Sequence, residues 1–333
     1  MLQNYWYIAC PSSALSIRPR GSRVLDHDLV LFRDASGSPG ALRDRCCHRG
    51  VRLSLGRVAS GTLECRYHGW RYNRMGQCVH IPSLLKDERI PEGAQVEAYP
   101  CHERDGYVWV WIGQANGAIT SHPPISGFHE RHWWQGSVRM RCASLMGIEN
   151  NLDWCHPYFV HRWLHGQFFR TRFRGFQIEC YEIRVTESGL VVFAPPTSNE
   201  SQPIPSNPIV SLTFQLPDRV TVTFNQRFRQ VIVMHFVPTG ETSCRLEWLT
   251  TRILPLGPHL RWTAREPIIF AQDRRLLESA QPEYERTGGS FERSVAADTG
   301  TLMVRRFFTL AAKGQSDQDA LRVPSRRIVK LRA

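Results

Sequence analysis

The stretch from Cys46 to Gly69, CCHRGVRLSLGRVASGTLECRYHG, decides how the first third of the chain is read. It presents one thiol and one imidazole twice, as Cys46 with His48 and as Cys65 with His68, in the spacing C-x-H-x16-C-x2-H. Two thiolates and two imidazoles could bind zinc, but zinc sites usually group like ligands by segment, as C-x2-4-C and H-x3-5-H pairs. Here each segment supplies one of each. A two-iron cluster with thiolates on one iron and imidazoles on the other requires that split, with two loops clamping it from either side. Imidazoles at one iron remove negative charge relative to four thiolates, which raises the reduction potential and suits a centre that receives electrons. Gly50 and Gly69 allow tight turns around the sulfurs, where amide hydrogen bonds can tune that potential.

Around this stretch, up to about residue 115, the chain alternates short strands with tight turns, as in LVLFRD, ASGSPG and ALRDRCC, and ends in the apolar-aromatic run YVWVWIG. That pattern predicts an all-β domain over 1–115. The aperiodic segment QANGAITSHPPISG, Gln114 to Gly127, is expected to be a linker, and 116–333 a second domain. There, alternating runs at 178–194, 209–216 and 219–253 predict paired strands, and REPIIFAQDRRLLESAQPEYE predicts a helix with Ile269, Asp273, Leu276, Leu277 and Ala280 on one stripe. The fold class expected is therefore α+β. Pro195 to Pro208 is too rich in Pro and Ser for regular structure and is expected to be a lid or a surface loop.

The segments CCHRGVRLSLG, CRYHGWRYN, MGQCVHIPS and ERDGYVWVWIG resemble the Rieske family. The match departs from the common pattern at Cys47 and Arg66, where proline is usual, and neither position is a ligand. A cluster alone would also suit a small ferredoxin or a respiratory subunit, so the remaining two-thirds of the chain decides the function. There, ENNLDWCHPYFVH, Glu149 to His161, contains Asp153-x2-His156-x4-His161, which resembles the mononuclear iron motif of the Rieske non-heme iron oxygenases, in their oxygenase (alpha) subunit. Iron(II) oxygenases take two histidines and one carboxylate on one face of the metal. On an ideal helix His156 and His161 would lie about 140° apart, so the backbone must leave regular helix between them, and Pro157 supplies a cause.

Asp273 is the best third ligand, because an unpaired ionised carboxylate on an apolar stripe would be costly to bury and a metal resolves that cost. The alternative is an ion pair with a neighbour such as Arg274. AQDRRLLESAQP also resembles the family helix that carries the ligand. Asp153 precedes His156 by three residues and can share its helical face. The resemblance further implies that Asp153 bridges this site to a cluster histidine, His68 of the partner subunit, in a head-to-tail ring, commonly a homotrimer. His235 is read as a satisfied core histidine, and His165, His80 and His102 as structural or surface residues. Trp248, Phe224, Asn225, Phe228 and Met234 on central strands are candidate pocket walls.

The resemblance implies an N-terminal all-β Rieske [2Fe-2S] domain followed by a catalytic domain with an antiparallel sheet and flanking helices, of helix-grip type. It implies O2 as co-substrate, a mononuclear Fe(II), and hydroxylation or oxidative demethylation of a small aromatic or heterocyclic molecule, as in the branch with vanillate and dicamba O-demethylases and the cyanobacterial toxin-tailoring oxygenases. The alternatives are a chlorophyllide- or pheophorbide-type tetrapyrrole oxygenase, or a non-catalytic Rieske electron carrier. No G-x-G-x-x-G and no plant-type ferredoxin cysteine run is present, so NAD(P)H is expected to act only through a separate reductase, with or without a ferredoxin.

Composition sets the bounds. With 333 residues, 42% hydrophobic and 22% charged, the chain reads as globular and large enough for two domains. No apolar run reaches membrane-spanning length, and MLQNYWYIACPSSAL lacks a basic leader, so a cytoplasmic protein with reduced thiols among its ten cysteines is expected. The net charge of +12 is almost wholly arginine, the only lysines being Lys86, Lys313 and Lys330. A basic surface suits an acidic electron-transfer partner or an acidic substrate. RTRFRG at 170–175 is basic and aromatic, but without a recognised binding module no nucleic-acid partner is expected.

Overall fold

The computed structural model describes residues 1–114, 133–161, 178–186, 189–194, 210–225, 229–251, 266–314 and 326–332. Residues 115–127 of the expected linker, the Pro195–Pro208 loop, RTRFRG, His165 and Phe228 lie outside them. The chain divides into two compact units, Gln3–Ser126 and Gly127–Ala333, the latter grouped with Met1–Leu2. The division falls between Ser126 and Gly127; the sequence reading placed it after residue 115.

The first unit is all-β. Its strands are β1 (Tyr5–Pro11), β2 (Arg20–Val24), β3 (His27–Arg33), β4 (Pro39–Arg43), β5 (Arg57–Ala59), β6 (Thr62–Glu64), β7 (Arg71–Tyr72), β8 (Cys78–His80), β9 (Ala98–Tyr99), β10 (Cys101–Arg104) and β11 (Tyr107–Ile112). They form three antiparallel sheets, ordered β1-β11-β10, β2-β3-β4-β9 and β5-β6-β7-β8. YVWVWI is buried at every position because β11 is the central strand of its sheet, and a strand covered on both faces reads as a continuous apolar run. Three hairpins close through two-residue turns, Leu25-Asp26, Ser60-Gly61 and Asp105-Gly106, with positive φ at both positions, the geometry whose twist matches that of the flanking strands.

The second unit is built on one antiparallel sheet of eight strands. They are β12 (Trp133–Met140), β13 (Ile178–Thr186), β14 (Gly189–Ala194), β15 (Val210–Gln215), β16 (Arg219–Asn225), β17 (Arg229–Gly240), β18 (Ser243–Thr251) and β19 (Arg326–Arg332), ordered β12-β18-β17-β16-β15-β14-β13-β19. The helices are α1 (Ser144–Leu152), α2 (His156–Val160), α3 (Glu266–Thr287) and α4 (Thr299–Ala312). One sheet face carries Leu190, Leu212, Phe214, Val220, Met234, Phe236 and Trp248, and these share a core with Ile148 and Leu152 of α1, Phe270 of α3 and Met303, Val304 and Phe307 of α4. A Cβ on Gly147 would lie 2.4 Å from the Phe236 ring, so glycine there lets α1 approach β17 closely.

One expectation changes at this level. Leu276 is 49% exposed, and the covered stripe of α3 runs through Phe270, Asp273, Leu277 and Gln281. Leu276 is about 60° behind Asp273 on the helix, away from the side that Phe270 and Gln281 centre on the core. His235 is buried and its Nδ1 lies 2.9 Å from Asp218 Oδ1, which makes it a core histidine as expected. Strand alternation puts it on the face opposite Met234 and Phe236. Phe224 packs on the helix-side core together with Trp248 and Met234, whereas Asn225 has the opposite strand parity.

Candidate metal centres

The two loops of the first unit are built alike. In each, the cysteine N–H donates to the carbonyl five residues on, Cys46 to Val51 and Cys65 to Trp70, both at 2.8 Å. In each, a glycine N–H donates back to the cysteine carbonyl, Gly50 to Cys46 and Gly69 to Cys65, both at 3.0 Å. Both glycines have φ +71, the left-handed region that other residues adopt at a cost, so this turn can follow each ligand pair.

The thiols face inward, with Cys46 3% and Cys65 2% exposed. Burial pushes the Cys65 thiol up, while the backbone N–H groups of Tyr67 and His68 pull it back towards the thiolate. The Tyr72 hydroxyl, on β7, lies 3.1 Å from Cys46 Sγ. The two imidazoles sit side by side at 4.6 Å between centroids, with His48 stacked on Trp70 at 4.5 Å. His48 Nδ1 is buried and has no hydrogen-bond partner. A buried ring nitrogen without a partner needs an explanation, and a metal ion that takes its lone pair provides one. Two buried thiols and two neighbouring imidazoles on matched loops fit a cluster with split ligation. Of the two departures from the common pattern, Cys47 is exposed with its Sγ 3.3 Å from the Tyr72 hydroxyl, and Arg66 is exposed.

In the second unit α1 ends at Leu152. Asp153 is extended, with φ −73 and ψ 114, and its Oδ1 accepts the Cys155 N–H at 2.7 Å. A new helical turn, α2, then starts at His156 with Pro157 in its first turn, and His161 follows it with φ −106 and ψ 16. The ring centroids of His156 and His161 are 5.3 Å apart. Asp153 and His156 consequently do not share a helical face, contrary to the expectation from their spacing, because the helix breaks between them. It is the Asp153 carbonyl, not its carboxylate, that lies 2.9 Å from His156 Nδ1. A carbonyl can only accept, so Nδ1 carries the proton and Nε2 keeps its lone pair.

Asp273 reaches this pair from α3. It is 5% exposed, with Oδ1 3.1 Å from His161 Nε2 and 3.8 Å from His156 Nε2. Ligand atoms of the three residues all lie within 4.8 Å of one another. Two ligand atoms about 2.1 Å from one metal and at right angles are about 3 Å apart, so the His161–Asp273 spacing suits a shared ion. The alternative partner Arg274 faces Glu278 at 3.8 Å, and Asp273 Oδ1 is buried with no hydrogen-bond partner. The donor set and the orphaned oxygen fit iron(II). Burial lowers the pKa of His156, partly offset by Asp273, which favours the neutral form that binds metal. For His161 burial acts in the same sense, but Asp273 and Gln272 outweigh it and the net shift is upward. His161 Nδ1 lies 2.9 Å from Gln272 Oε1, a contact that the sequence pattern did not single out although Gln272 adjoins Asp273.

The elements around these three side chains are tied together. Gln281 of α3 accepts the Ala143 N–H at 2.8 Å, and Glu278 accepts the Arg141 N–H at 2.9 Å, just before α1. Glu149 of α1 accepts two hydrogen bonds from Arg305 of α4, at 2.6 and 2.8 Å, a bidentate arrangement that fixes orientation as well as energy. Phe270, one turn before Asp273, packs at 5.7 Å from Trp248, which places apolar surface beside the ligands.

A clamp for a two-iron cluster in an all-β unit, and a two-histidine, one-carboxylate site between helices laid on an antiparallel sheet, define a Rieske-type oxygenase chain. The chain belongs to that family: residues 5–100 match the Rieske [2Fe-2S] domain and residues 140–313 the vanillate O-demethylase oxygenase C-terminal domain. It is 34% identical over 164 residues to the oxygenase component of dicamba O-demethylase from Stenotrophomonas maltophilia, covering 48% of this chain and 48% of that one. It is 38% identical over 168 residues to chloroplastic chlorophyllide a oxygenase from Chlamydomonas reinhardtii, covering 48% of this chain and 24% of that one. The matched segments thus span about half or less of these relatives. The crystal structure of dicamba monooxygenase bound to dicamba has the same fold, with a TM-score of 0.77 at 21% identity over 95% of this chain and 99% of that one. No described helix is long and apolar enough to cross a membrane.

Proposed function

We propose that this chain is the oxygenase component of a multicomponent Rieske monooxygenase that hydroxylates or oxidatively demethylates a small aromatic or heterocyclic molecule. One observation carries the proposal: the same chain holds a split-ligand clamp and, separately, His156, His161 and Asp273 with a buried carboxylate oxygen that no protein donor satisfies. When bound, the cluster supplies one-electron transfer and the mononuclear iron(II) supplies dioxygen activation. Cys46, His48, Cys65 and His68 hold the first, and His156, His161 and Asp273 the second. Trp248 and Phe270 keep the neighbourhood apolar, which excludes water and suits a flat organic substrate.

Electrons come from a separate reductase, with or without a ferredoxin, and NAD(P)H is used only there. The subunits form a homotrimer in the cytoplasm, arranged head to tail. In that ring Asp153 bridges the mononuclear site to His68 of the partner subunit. The relative named dicamba O-demethylase supports a small aromatic substrate, and the relative named chlorophyllide a oxygenase supports a tetrapyrrole as the second reading.

The test is oxygen uptake by the purified chain with a reductase, across methoxylated aromatics, N-methylated heterocycles and chlorophyllide, together with iron content. Substrate-dependent uptake and iron beyond the cluster's two per chain are expected. Iron limited to the cluster, with no uptake, would make the protein an electron carrier. A variant isolates the bridge: Asp153→Asn is expected to keep both metal centres and lose at least about ten-fold in turnover, the lower end for damage to an outer partner of a ligand. Near-normal turnover with both centres present and the trimer intact would sink the bridging role.

A further inference from the structure

Consecutive residues of α3 face the two ring nitrogens of His161. Asp273 Oδ1 stands 3.1 Å from Nε2, and Gln272 Oε1 stands 2.9 Å from Nδ1. The other histidine is arranged differently, since His156 Nδ1 faces the main-chain carbonyl of Asp153 at 2.9 Å. No substitution removes a main-chain carbonyl, so the orientation of His156 follows from the path of the backbone alone. The orientation of His161 depends on a side chain.

We propose that Gln272 is a positioning residue that keeps His161 in the tautomer able to bind iron and so holds the mononuclear site open to the metal. The proposal rests on the iron site of the function proposed above. An amide oxygen accepts, so His161 Nδ1 carries the proton and Nε2 presents its lone pair towards Asp273. Asp273 Oδ1 lies 3.1 Å from Nε2, on the side of the ring that an acceptor at Nδ1 leaves without the proton. Without the acceptor at 272, the buried imidazole gains by moving its proton to Nε2 and donating it to Asp273, since burial penalises an unsatisfied N–H. That internal pair would occupy two of the three ligand atoms and compete directly with iron.

The chemistry at 272 also sets basicity. A neutral amide orients the ring and adds no charge, whereas a carboxylate there would raise the donor strength of Nε2, as carboxylate–histidine pairs do at other metal sites. Iron affinity should therefore follow the acceptor at this position, in the order Glu at or above Gln, with Leu far below.

The experiment titrates Fe(II) anaerobically into protein that carries its cluster but lacks the mononuclear metal, with a chelator competing, for the wild type, Gln272→Leu and Gln272→Glu. Co(II) titration reads the ligand set from its visible spectrum. Gln272→Leu is expected to lose about 10- to 100-fold in Fe(II) affinity, the range for an outer partner of a metal ligand, with unchanged cluster EPR and unchanged melting of the metal-free protein. Gln272→Glu is expected to restore or exceed wild-type affinity, which a purely structural role would not predict. Wild-type affinity in Gln272→Leu, or loss of equal size in Gln272→Glu, overturns the positioning role while the iron site stands. A wild-type chain that takes up no Fe(II) beyond its cluster overturns both.

Discussion

Cys65→Ser is expected to abolish the visible and low-temperature EPR signature of the Rieske cluster. The Cys65 thiol is 2% exposed and receives the backbone N–H groups of Tyr67 and His68, donors that favour its thiolate. Serine keeps the shape of the loop, but its hydroxyl does not ionise at neutral pH and offers iron a hard oxygen in place of a thiolate sulfur. Since a bound cluster adds its binding free energy to folding, the first unit should also melt at lower temperature. Cys47→Ser is the matched control: its sulfur is exposed, belongs to neither loop's ligand pair, and its loss should leave the signature in place. A signature retained in Cys65→Ser would refute the ligand assignment, and one lost in both variants would point to general damage to the loop.

Asp273→Ala is expected to remove the mononuclear iron and lower turnover by more than about 100-fold, beyond the range for outer partners of a ligand, because it deletes one of the three proposed protein ligands. The cluster, in the other unit, should keep its spectrum. In the metal-free protein the change also removes the contact between Asp273 and His161 at 3.1 Å, so its effect on folding is read separately. Metal analysis beside circular dichroism melting separates the two effects. Full iron content with normal turnover would eliminate Asp273 as a ligand, and collapse of the melting transition would make it a folding residue.

Legibility in the sequence followed the range of the contacts. The clamp was readable because each loop closes on itself within five residues: a ligand pair, a glycine with φ +71 and a carbonyl that accepts the cysteine N–H all sit in one short segment. The helix around Asp273 was readable from its apolar spacing, but the spacing put Leu276 on the stripe and left out Phe270, since periodicity finds a direction only to within a residue or so. At Asp153 the error was one of backbone path. Three residues on a continuous helix share a face, and nothing in NLDWCHP announced that α1 stops at Leu152 and that Pro157 opens a separate turn.

The sequence by itself determined the class of architecture and brought out the two candidate ligand sets, because metal ligands are few in kind and their spacings reflect local backbone geometry. Only the tertiary structure decided how the second site is held. His161 and Gln272 are 111 positions apart, and Glu149 and Arg305 are 156 apart. Contacts at such range arise from the way α1, α3 and α4 pack on one sheet face, through a core spread over most of the second unit. No short pattern encodes that packing. It is why the Gln272 contact of His161, the carbonyl beside His156 and the buried oxygen of Asp273 emerged only when the helices were laid on the sheet.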